Sequence, residues 1–363
     1  MKKIQFLIVY CFVHLVSAQQ LLSPSKEVNL NFAINNLGEP TYSVFYKNKE
    51  VIKASKLGIL LKDGTDLSKD FEIITSKEST FDETWQPILG EQSSIRNHYN
   101  QLSIQLKQTS TDKQLNLVFK VYDEGVAFRY EFPFKKRVEY FVVADENTEF
   151  NLTGNHKVFW IPGDYDSQEY VYNETKLSEV DNYKLDLNNG IALKTIESRY
   201  LVQSPLMMKT EEGLYLNIFE AAVDNYPVMH LDVNINSLEL TSNLPPNAIG
   251  DKAYLRTPAT TPWRTIIVSD DARDIVASKM IFNLNEPNKL EDTSWIKPMK
   301  YVGIWWEMHV GKSTWDYTGS QNAQNAQSQD LIPSGKHGAT TENTKRYIDF
   351  ASEHGFDGVL VEL

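Results

Sequence analysis

The chain has 363 residues, with 36 Lys and Arg against 48 Asp and Glu, and its net charge is −12 at pH 7. This negative charge repels phosphate groups and anionic membrane surfaces, so it argues against nucleic-acid binding and against stable membrane insertion. The length suffices for two domains, and the aromatic share of 12% fits stacking on sugars as well as an ordinary β-rich core.

The first predicted element is an export signal over residues 1–18. Lys2 and Lys3 supply a positive start, and residues 4–16 are mostly apolar and precede a run of small side chains. The apolar run is too short for a membrane span, and the alternative is a buried N-terminal helix. Cys11 is the single cysteine and lies within this segment, so the exported chain has no thiol for disulfides, zinc binding or nucleophilic catalysis.

Residues 21–282 carry the pattern of β-structure. Runs in which every second residue is apolar recur along this stretch, as in VNLNFA at 28–33 and LSIQLK at 102–107. Such alternation indicates half-buried antiparallel strands, and Gly-containing turn sequences separate the runs. So many strands over this length predict a large two-sheet sandwich, which we assign to a mainly β domain over residues 19–290.

Two features follow the predicted strands. Residues 272–280 are predicted as a short helix, with Asp270 or Asp271 as its N-cap. Residues 291–300 lie in a stretch with few regular signals and nearby prolines, and we expect them to form a linker.

A strand–helix–strand unit follows the linker. Residues 301–306 are predicted as a buried strand, 341–354 as a helix capped at Thr340 or the next residue, and 357–361 as a strand covered on both faces. This pattern is the start of an α/β domain, and it does not separate a barrel from an open sheet. A parallel strand pair needs further strands and helices to cover it, so we expect the remainder of this domain to lie beyond Leu363.

The connection between the strand and the helix of this unit is unusually long. It spans residues 307–340, whereas ordinary βα loops have roughly six residues. It contains Trp315, Tyr317 and His337 and a Gln/Asn-rich tract. Because βα loops build the active sites of α/β barrels, we expect an active-site wall here, with a disordered insertion as the alternative for the Gln/Asn tract.

The motif GIWWEMH at residues 303–309 is the first candidate site. It places Trp306, Glu307 and His309 at the end of a strand. These residues are predicted to bind substrate, with Trp306 or its neighbour Trp305 stacking on a pyranose ring and Glu307 or His309 bonding its hydroxyls. In the alternative, the tryptophans fill the core and Glu307 is a solvated end residue.

Glu362 has the same strand-end position and is predicted to bind substrate as well. Two strand-end acids in one domain suggest the paired carboxylates of glycoside hydrolysis, although strand ends commonly carry acids.

Two further segments carry acids. Glu220 follows an apolar strand and precedes two alanines, so its carboxylate is a candidate ligand for a hard cation such as Ca²⁺. The alternative is a surface glutamate or one half of an ion pair. The segment WIPGDYD at 160–166 can face a sugar or form a turn held by its Asp side chains, and we favour the turn.

These segments resemble glycoside hydrolase family 97. The resemblance rests on residues 123–130, 160–167, 213–222, 303–309, and 337–351 through 361–362, and it extends over essentially the whole exported chain. It implies an N-terminal β-supersandwich followed by a (β/α)₈ barrel, of which residues 301–363 are the first βαβ unit. The family consists of exported, periplasmic bacterial enzymes that act on α-linked glucosides or galactosides, in oligosaccharides or other glycosides.

The resemblance also implies calcium at the active site and matches Glu220 to the metal ligand that the N-terminal domain supplies. Phe219 stands where many members of the family have histidine. The family's catalytic carboxylates come later in the barrel than its second strand, so no catalytic residue is assigned in this chain and we expect the chain itself to be inactive. The alternative function is a non-catalytic carbohydrate-binding or scaffold β-sandwich.

Overall fold

The computed structural model of the protein describes residues 18–133, 137–185, 196–315 and 337–361. The chain divides into two compact units. The first extends to Pro287 except for Ile88–Glu91, which belongs with Asn288–Leu363 to the second. Residues 1–17 of the signal predicted over 1–18, including Cys11, lie outside the described residues, as does Glu362.

Buried and partly exposed residues alternate along strands of the first unit. In the second strand Val28, Leu30 and Phe32 are fully buried, whereas the residues between them are partly exposed. The strands are, in chain order, β1 (Gln19–Leu22), β2 (Val28–Ile34), β3 (Pro40–Tyr46), β4 (Lys49–Lys56), β5 (Ile59–Leu61), β6 (Asp66–Leu67), β7 (Phe71–Trp85), β8 (Ile95–Gln108), β9 (Gln114–Tyr122), β10 (Gly125–Phe132), β11 (Tyr140–Glu146), β12 (Glu149–Leu152), β13 (Lys157–Trp160), β14 (Asn173–Lys176), β15 (Leu201–Gln203), β16 (Leu206–Lys209), β17 (Tyr215–Ala221), β18 (His230–Asn234), β19 (Glu239–Asn243), β20 (Ala253–Arg256), β21 (Ala259–Thr260) and β22 (Trp263–Ser269).

These described strands form three antiparallel sheets. One has eight strands in the order β1-β2-β3-β4-β12-β19-β18-β15. The second has ten, in the order β14-β13-β16-β17-β22-β10-β9-β8-β7, with β21 also paired to β10. The predicted two-sheet sandwich is confirmed. A third sheet of four strands, β20-β11-β5-β6, was not predicted.

The main hydrophobic core lies between the two large sheets. Phe32 of the eight-stranded sheet packs on Phe119 of the ten-stranded sheet with ring centroids 5.7 Å apart, and Tyr42 packs on Phe128 at 4.9 Å. Aromatic pairs at these separations contribute beyond the area that they bury.

A second buried cluster of the first unit contains residues of the ten-stranded sheet and of a short helix. Two helices follow the last strand, α1 (Ala272–Ala277) and α2 (Met280–Leu284). The prediction of a single helix over 272–280 was therefore wrong, because the first helix ends at Ala277 and a second begins at Met280. Glu124 accepts the backbone N–H of Lys279 at 3.0 Å and of Met280 at 3.3 Å, which holds a new helix start at that point. The predicted cap Asp271 is confirmed, since its side chain accepts the Arg273 N–H at 2.9 Å.

The second unit contains the predicted strand–helix–strand arrangement. Its elements are β23 (Tyr301–Gly303), α3 (Trp306–His309), α4 (Thr341–Glu353) and β24 (Gly358–Leu360). β23 and β24 are parallel, with Tyr301 opposite Gly358. The Thr340 hydroxyl caps α4 by accepting the Asn343 N–H at 3.1 Å, as predicted, and Gly355 follows the helix at φ +71°.

Two predictions for this unit were wrong. The strand predicted over 301–306 ends at Gly303, because the backbone carbonyls of Trp305 and Trp306 accept helical hydrogen bonds from Met308 and Val310. The strands are also only half-buried, and Leu360 is 43% exposed. In the part of the chain that the structure describes, each of these strands has one strand neighbour, so their other edges stay uncovered.

None of the helices in the described ranges has the length and apolar character needed to cross a bilayer.

Candidate functional site

The predicted substrate-binding segment lies where β23 ends and α3 begins. Trp305 immediately precedes α3, and Trp306 is its first residue and 68% exposed. A cavity of about 600 Å³ opens beside this turn. Its lining residues are Val302, Gly303, Trp305, Trp306, His309, Arg346, Tyr347 and Phe350. A cavity of this size, lined by aromatic rings with a few polar groups, has the character of a small-molecule site.

The two adjacent tryptophans have different surroundings. Trp305 packs on Trp315 with centroids 4.8 Å apart, and Trp315 stacks on His337 at 5.8 Å. Gly338 permits this packing, because a Cβ there would lie 2.0 Å from the Trp315 ring. Trp305 therefore belongs to a packed aromatic layer, whereas the indole of Trp306 is open to solvent.

His309 is the second predicted residue that lines the cavity. It ends α3, and its ring centroid lies 6.4 Å from that of Trp306 in an edge-on orientation. An indole face and an imidazole at this separation can contact one sugar ring, with the imidazole as the hydrogen-bonding group.

Glu307 points towards α4 and not into the cavity. Its Oε1 accepts a hydrogen bond from the Arg346 guanidinium, and its Oε2 accepts one from Asn343 Nδ2 at 3.3 Å. The hydrogen bond to Glu307 raises the pKa of Arg346, because the carboxylate favours the charged guanidinium. Glu307 thus holds Arg346 at the wall of the cavity that Trp306 lines.

Arg346 was not predicted as a site residue from the sequence. Arg346 lies within the helix predicted over 341–354, but a charged residue in a helix does not by itself indicate a binding site. Only the close approach of α3 to the first turns of α4 identifies it. Glu362, the fourth predicted substrate-binding residue, lies outside the described residues.

Glu220, the predicted metal ligand, lies on β17 of the first unit, directly opposite Arg264 on β22. Its side chain is 4% exposed. Oε1 accepts the backbone N–H of Met229 at 2.9 Å, and Oε2 accepts a bond from Arg264 Nη1. Burial raises the pKa of Glu220, and the adjacent guanidinium opposes that shift. The arrangement in the structure is therefore an ion pair, the alternative given above to a metal ligand.

These surroundings bear on calcium. Ca²⁺ takes several oxygen ligands, and both oxygens of Glu220 already accept bonds from protein donors. Within the described ranges, no group of three or more His, Cys, Asp or Glu side chains is arranged to hold a metal ion. The described residues do not by themselves fit a calcium site, because the Arg264 cation beside Glu220 repels a second cation and they provide no group of three such ligands.

Arg264 and its second partner, Glu146, were also missed. Arg264 Nε and Nη2 donate to the two carboxylate oxygens of Glu146, each at 2.8 Å. A signal was present in the sequence, because Arg264 has the same parity as Ile266 and Val268, which face the main core. A cationic side chain at an inward position of a buried strand needs an acidic partner, because an unpaired buried charge is energetically costly.

The acid-rich loop after β13 is the predicted turn. Asp164 Oδ1 accepts the backbone N–H of Asp166 at 2.8 Å and of Ser167 at 3.1 Å. Its other oxygen accepts the Tyr170 hydroxyl. The buried Asp164 therefore shapes the backbone of this loop.

Two family models match the chain. Residues 21–287 match "Glycosyl-hydrolase 97 N-terminal", and residues 305–363 match "Glycoside hydrolase 97". Among curated proteins, the retaining alpha-galactosidase of Bacteroides thetaiotaomicron is 25% identical over 394 residues, which cover 100% of this chain and 53% of that protein.

Solved structures are similar as well. A glycoside hydrolase family 97 enzyme from Pseudoalteromonas sp. strain K8, in complex with acarbose, is 34% identical with a TM-score of 0.76, covering 95% of this chain and 47% of that one. A β-arabinopyranosidase is 21% identical with a TM-score of 0.72, and the match covers 94% of this chain and 50% of that one. At this identity the similarity shows only that the two proteins share a fold. The chain thus spans about half the length of the relatives it matches.

Proposed function

Because the chain belongs to glycoside hydrolase family 97, we propose that it forms the N-terminal domain and the start of the catalytic barrel of an enzyme that hydrolyses α-linked glucosides or galactosides. The observation that carries the proposal is the match of the two family models, one to residues 21–287 and the other to residues 305–363. The alpha-galactosidase among the relatives supports the galactosides, and a variant of the Pseudoalteromonas enzyme that was solved in complex with panose supports the glucosides.

The chain's own contribution to substrate binding lies in the cavity of the second unit. Trp306 offers an exposed indole face to a pyranose ring, and His309 offers a hydrogen-bonding nitrogen to its hydroxyls. Arg346, held by Glu307, adds a fixed cation at the cavity wall. Glycoside hydrolysis needs a pair of carboxylates beside the scissile bond. We propose that this pair comes from barrel strands later than β24.

The decisive experiment measures hydrolysis of p-nitrophenyl α-D-glucopyranoside and of the α-D-galactopyranoside. The longer protein that contains this chain should release p-nitrophenol from at least one of them, and the 363-residue chain should release none. No release by the longer protein from either substrate, with a folded circular-dichroism spectrum, would refute the proposed activity. Turnover by the 363-residue chain would refute the placement of the carboxylates.

Calcium and export are further proposals. The resemblance supports Ca²⁺ in the longer protein, where we expect EDTA to abolish hydrolysis and added CaCl₂ to restore it. Undiminished activity after exhaustive chelation would remove calcium from the proposal.

Residues 1–18 support export to the periplasm. Fractionation of cells that express the natural gene tests this localisation.

A further inference from the structure

The first unit contains a cleft of about 680 Å³ that plays no part in the site described above. One wall is the outward face of β11 and β20, at the edge of the four-stranded sheet. Another wall is the segment 222–225 that follows β17, and the cleft also contacts β21. Its volume is within the range of small-molecule sites.

Two exposed tyrosines stand on the β11–β20 wall. Tyr140 lies opposite Arg256, and Val142 lies opposite Tyr254, so all four side chains share one face of the sheet. Tyr140 is 78% exposed and Tyr254 is 58% exposed. Large aromatic rings left open on neighbouring strands form a platform for a flat apolar surface, such as the C–H face of a pyranose.

The ring of Tyr254 is held in place by its hydroxyl. This hydroxyl donates to Asp251 Oδ2 at 2.5 Å and accepts from Asn247 Nδ2 at 3.2 Å. Asp251 is itself buried and paired with Lys62 at 2.6 Å. The ring therefore projects in a fixed orientation, which lowers the entropy lost when a ligand stacks on it.

The polar groups of the cleft suit a neutral ligand. Its charged lining residues are two cations and two anions: Arg129, Arg256, Asp224 and Glu286. Arg129 is paired with Glu131 at 2.7 Å. Across the described ranges, the side chains of Arg256, Asp224 and Asn225 form no hydrogen bond or ion pair. These three side chains therefore offer free hydrogen-bond donors and acceptors beside the tyrosines. The cleft lacks the excess positive charge that would favour binding of a phosphate or sulfate group.

We propose that this cleft is a binding site for neutral oligosaccharides, in which Tyr140 and Tyr254 stack on pyranose rings and Arg256 and Asn225 bond the hydroxyls. The choice of ligand class rests on the proposed function. The geometry of the cleft is independent of that function, because all of the residues that line the cleft belong to the first unit.

Calorimetric titration of the 363-residue chain with maltotetraose and with raffinose tests the proposal. We expect binding of at least one sugar, and we expect Tyr254→Ala to weaken it about tenfold through the loss of stacking. Tyr172→Ala is the matched control, because Tyr172 is 57% exposed and does not line the cleft. Tyr254→Phe keeps the ring but loses its anchor, so it should weaken binding less than Tyr254→Ala.

The outcomes separate the cleft from the proposed hydrolase function. Binding that Tyr254→Ala and Tyr140→Ala both leave unchanged, or no heat with either sugar at about 10 mM, overturns the cleft proposal even if the longer protein hydrolyses α-glycosides. Binding that these variants abolish, together with a longer protein that lacks hydrolysis, overturns the function and leaves the cleft standing. If Tyr254→Ala does not fold, Arg256→Ala replaces it, with the same expected loss.

Discussion

Arg264 and Glu146 form a bidentate ion pair whose two side chains are completely buried. Arg264 lies in the ten-stranded sheet, and Glu146 ends a strand of the four-stranded sheet, so the pair joins these two sheets. The hydroxyls of Thr148, at 2.9 Å, and Tyr226, at 3.0 Å, also donate to Glu146. Desolvation of charged groups is costly. The cluster offsets this cost, because the Glu146 carboxylate accepts four hydrogen bonds, two from Arg264 and one each from Thr148 and Tyr226.

Arg264→Met should destabilise the first unit severely. The substitution leaves Glu146 and Glu220 buried without a cation, and loss of one partner from a buried pair costs about 3–5 kcal/mol. Urea unfolding measures the change in the free energy of unfolding. Arg96→Met is the control, since Arg96 also forms a bidentate pair, with Asp82, but its side chain is 60% exposed. Equal losses in both variants would contradict a special role of the buried pair.

Glu220→Gln tests the ion pair at the predicted metal ligand. The amide oxygen can still accept the Met229 N–H, but its NH₂ group then faces the Arg264 guanidinium, donor against donor. We expect a loss of about 1–3 kcal/mol in urea unfolding of the chain in EDTA, where no calcium is bound. Unchanged stability in EDTA, with a loss only when calcium is present, would favour the metal-ligand role instead.

Asp181 should make the first unit sensitive to acid. Arg199 donates to both of its carboxylate oxygens, at 2.9 and 2.6 Å, and this lowers the pKa of Asp181 from 3.8 to about 2. A lowered folded pKa means that the unfolded chain binds protons more readily. The stabilisation is therefore present above pH 3.8 and is lost as the pH falls towards about 2.

Unfolding midpoints of the protein and of Arg199→Ala, measured through that pH window, test the effect of Asp181. The difference between the two should shrink as the pH falls. Arg199→Lys keeps the charge without the bidentate geometry and should lie between them. A difference that is constant with pH would exclude this carboxylate as its source.

Gly125→Ala should prevent stable folding of the sandwich. Gly125 begins β10 at φ +153°, and a Cβ there would lie 2.0 Å from the carbonyl oxygen of Ile266 on β22. The two strands would have to separate in the middle of the ten-stranded sheet. Gly213→Ala is the control, because at φ +88° it meets no atom within 4 Å and should cost only about 1–2 kcal/mol of backbone strain. Thermal unfolding compares them, and similar melting temperatures would contradict the close approach.

Trp306→Ala should weaken substrate binding by the longer protein. The lost stacking should raise KM for the α-glycoside about tenfold, with a smaller change in kcat, because the indole is proposed to bind the ring and not to act in chemistry. Trp295→Ala is closely matched, since Trp295 is 67% exposed, Trp306 is 68% exposed, and both belong to the second unit. Identical kinetics in the two variants would remove Trp306 from the site.

Local signals in the sequence determined several features of this protein. Alternation at Val28, Leu30 and Phe32 predicted strands of a sandwich, and Thr340 predicted the start of α4. Such features depend on neighbours in the chain, since side-chain direction along a strand and the cap of a helix are set within a few residues. The short apolar run at 301–306 was ambiguous, because its length and composition suit a strand and a helical turn alike.

Only the tertiary structure decided what the acidic residues contact. Glu146 and Arg264 are separated by 118 positions, and Glu307 and Arg346 by 39, so neither pair leaves a periodic trace. Glu220 could be a metal ligand, a surface residue or half of an ion pair until the register of β17 against β22 placed Arg264 opposite it. The reason is physical: a buried carboxylate takes the partner that folding brings within hydrogen-bond distance, and sheet register sets that distance.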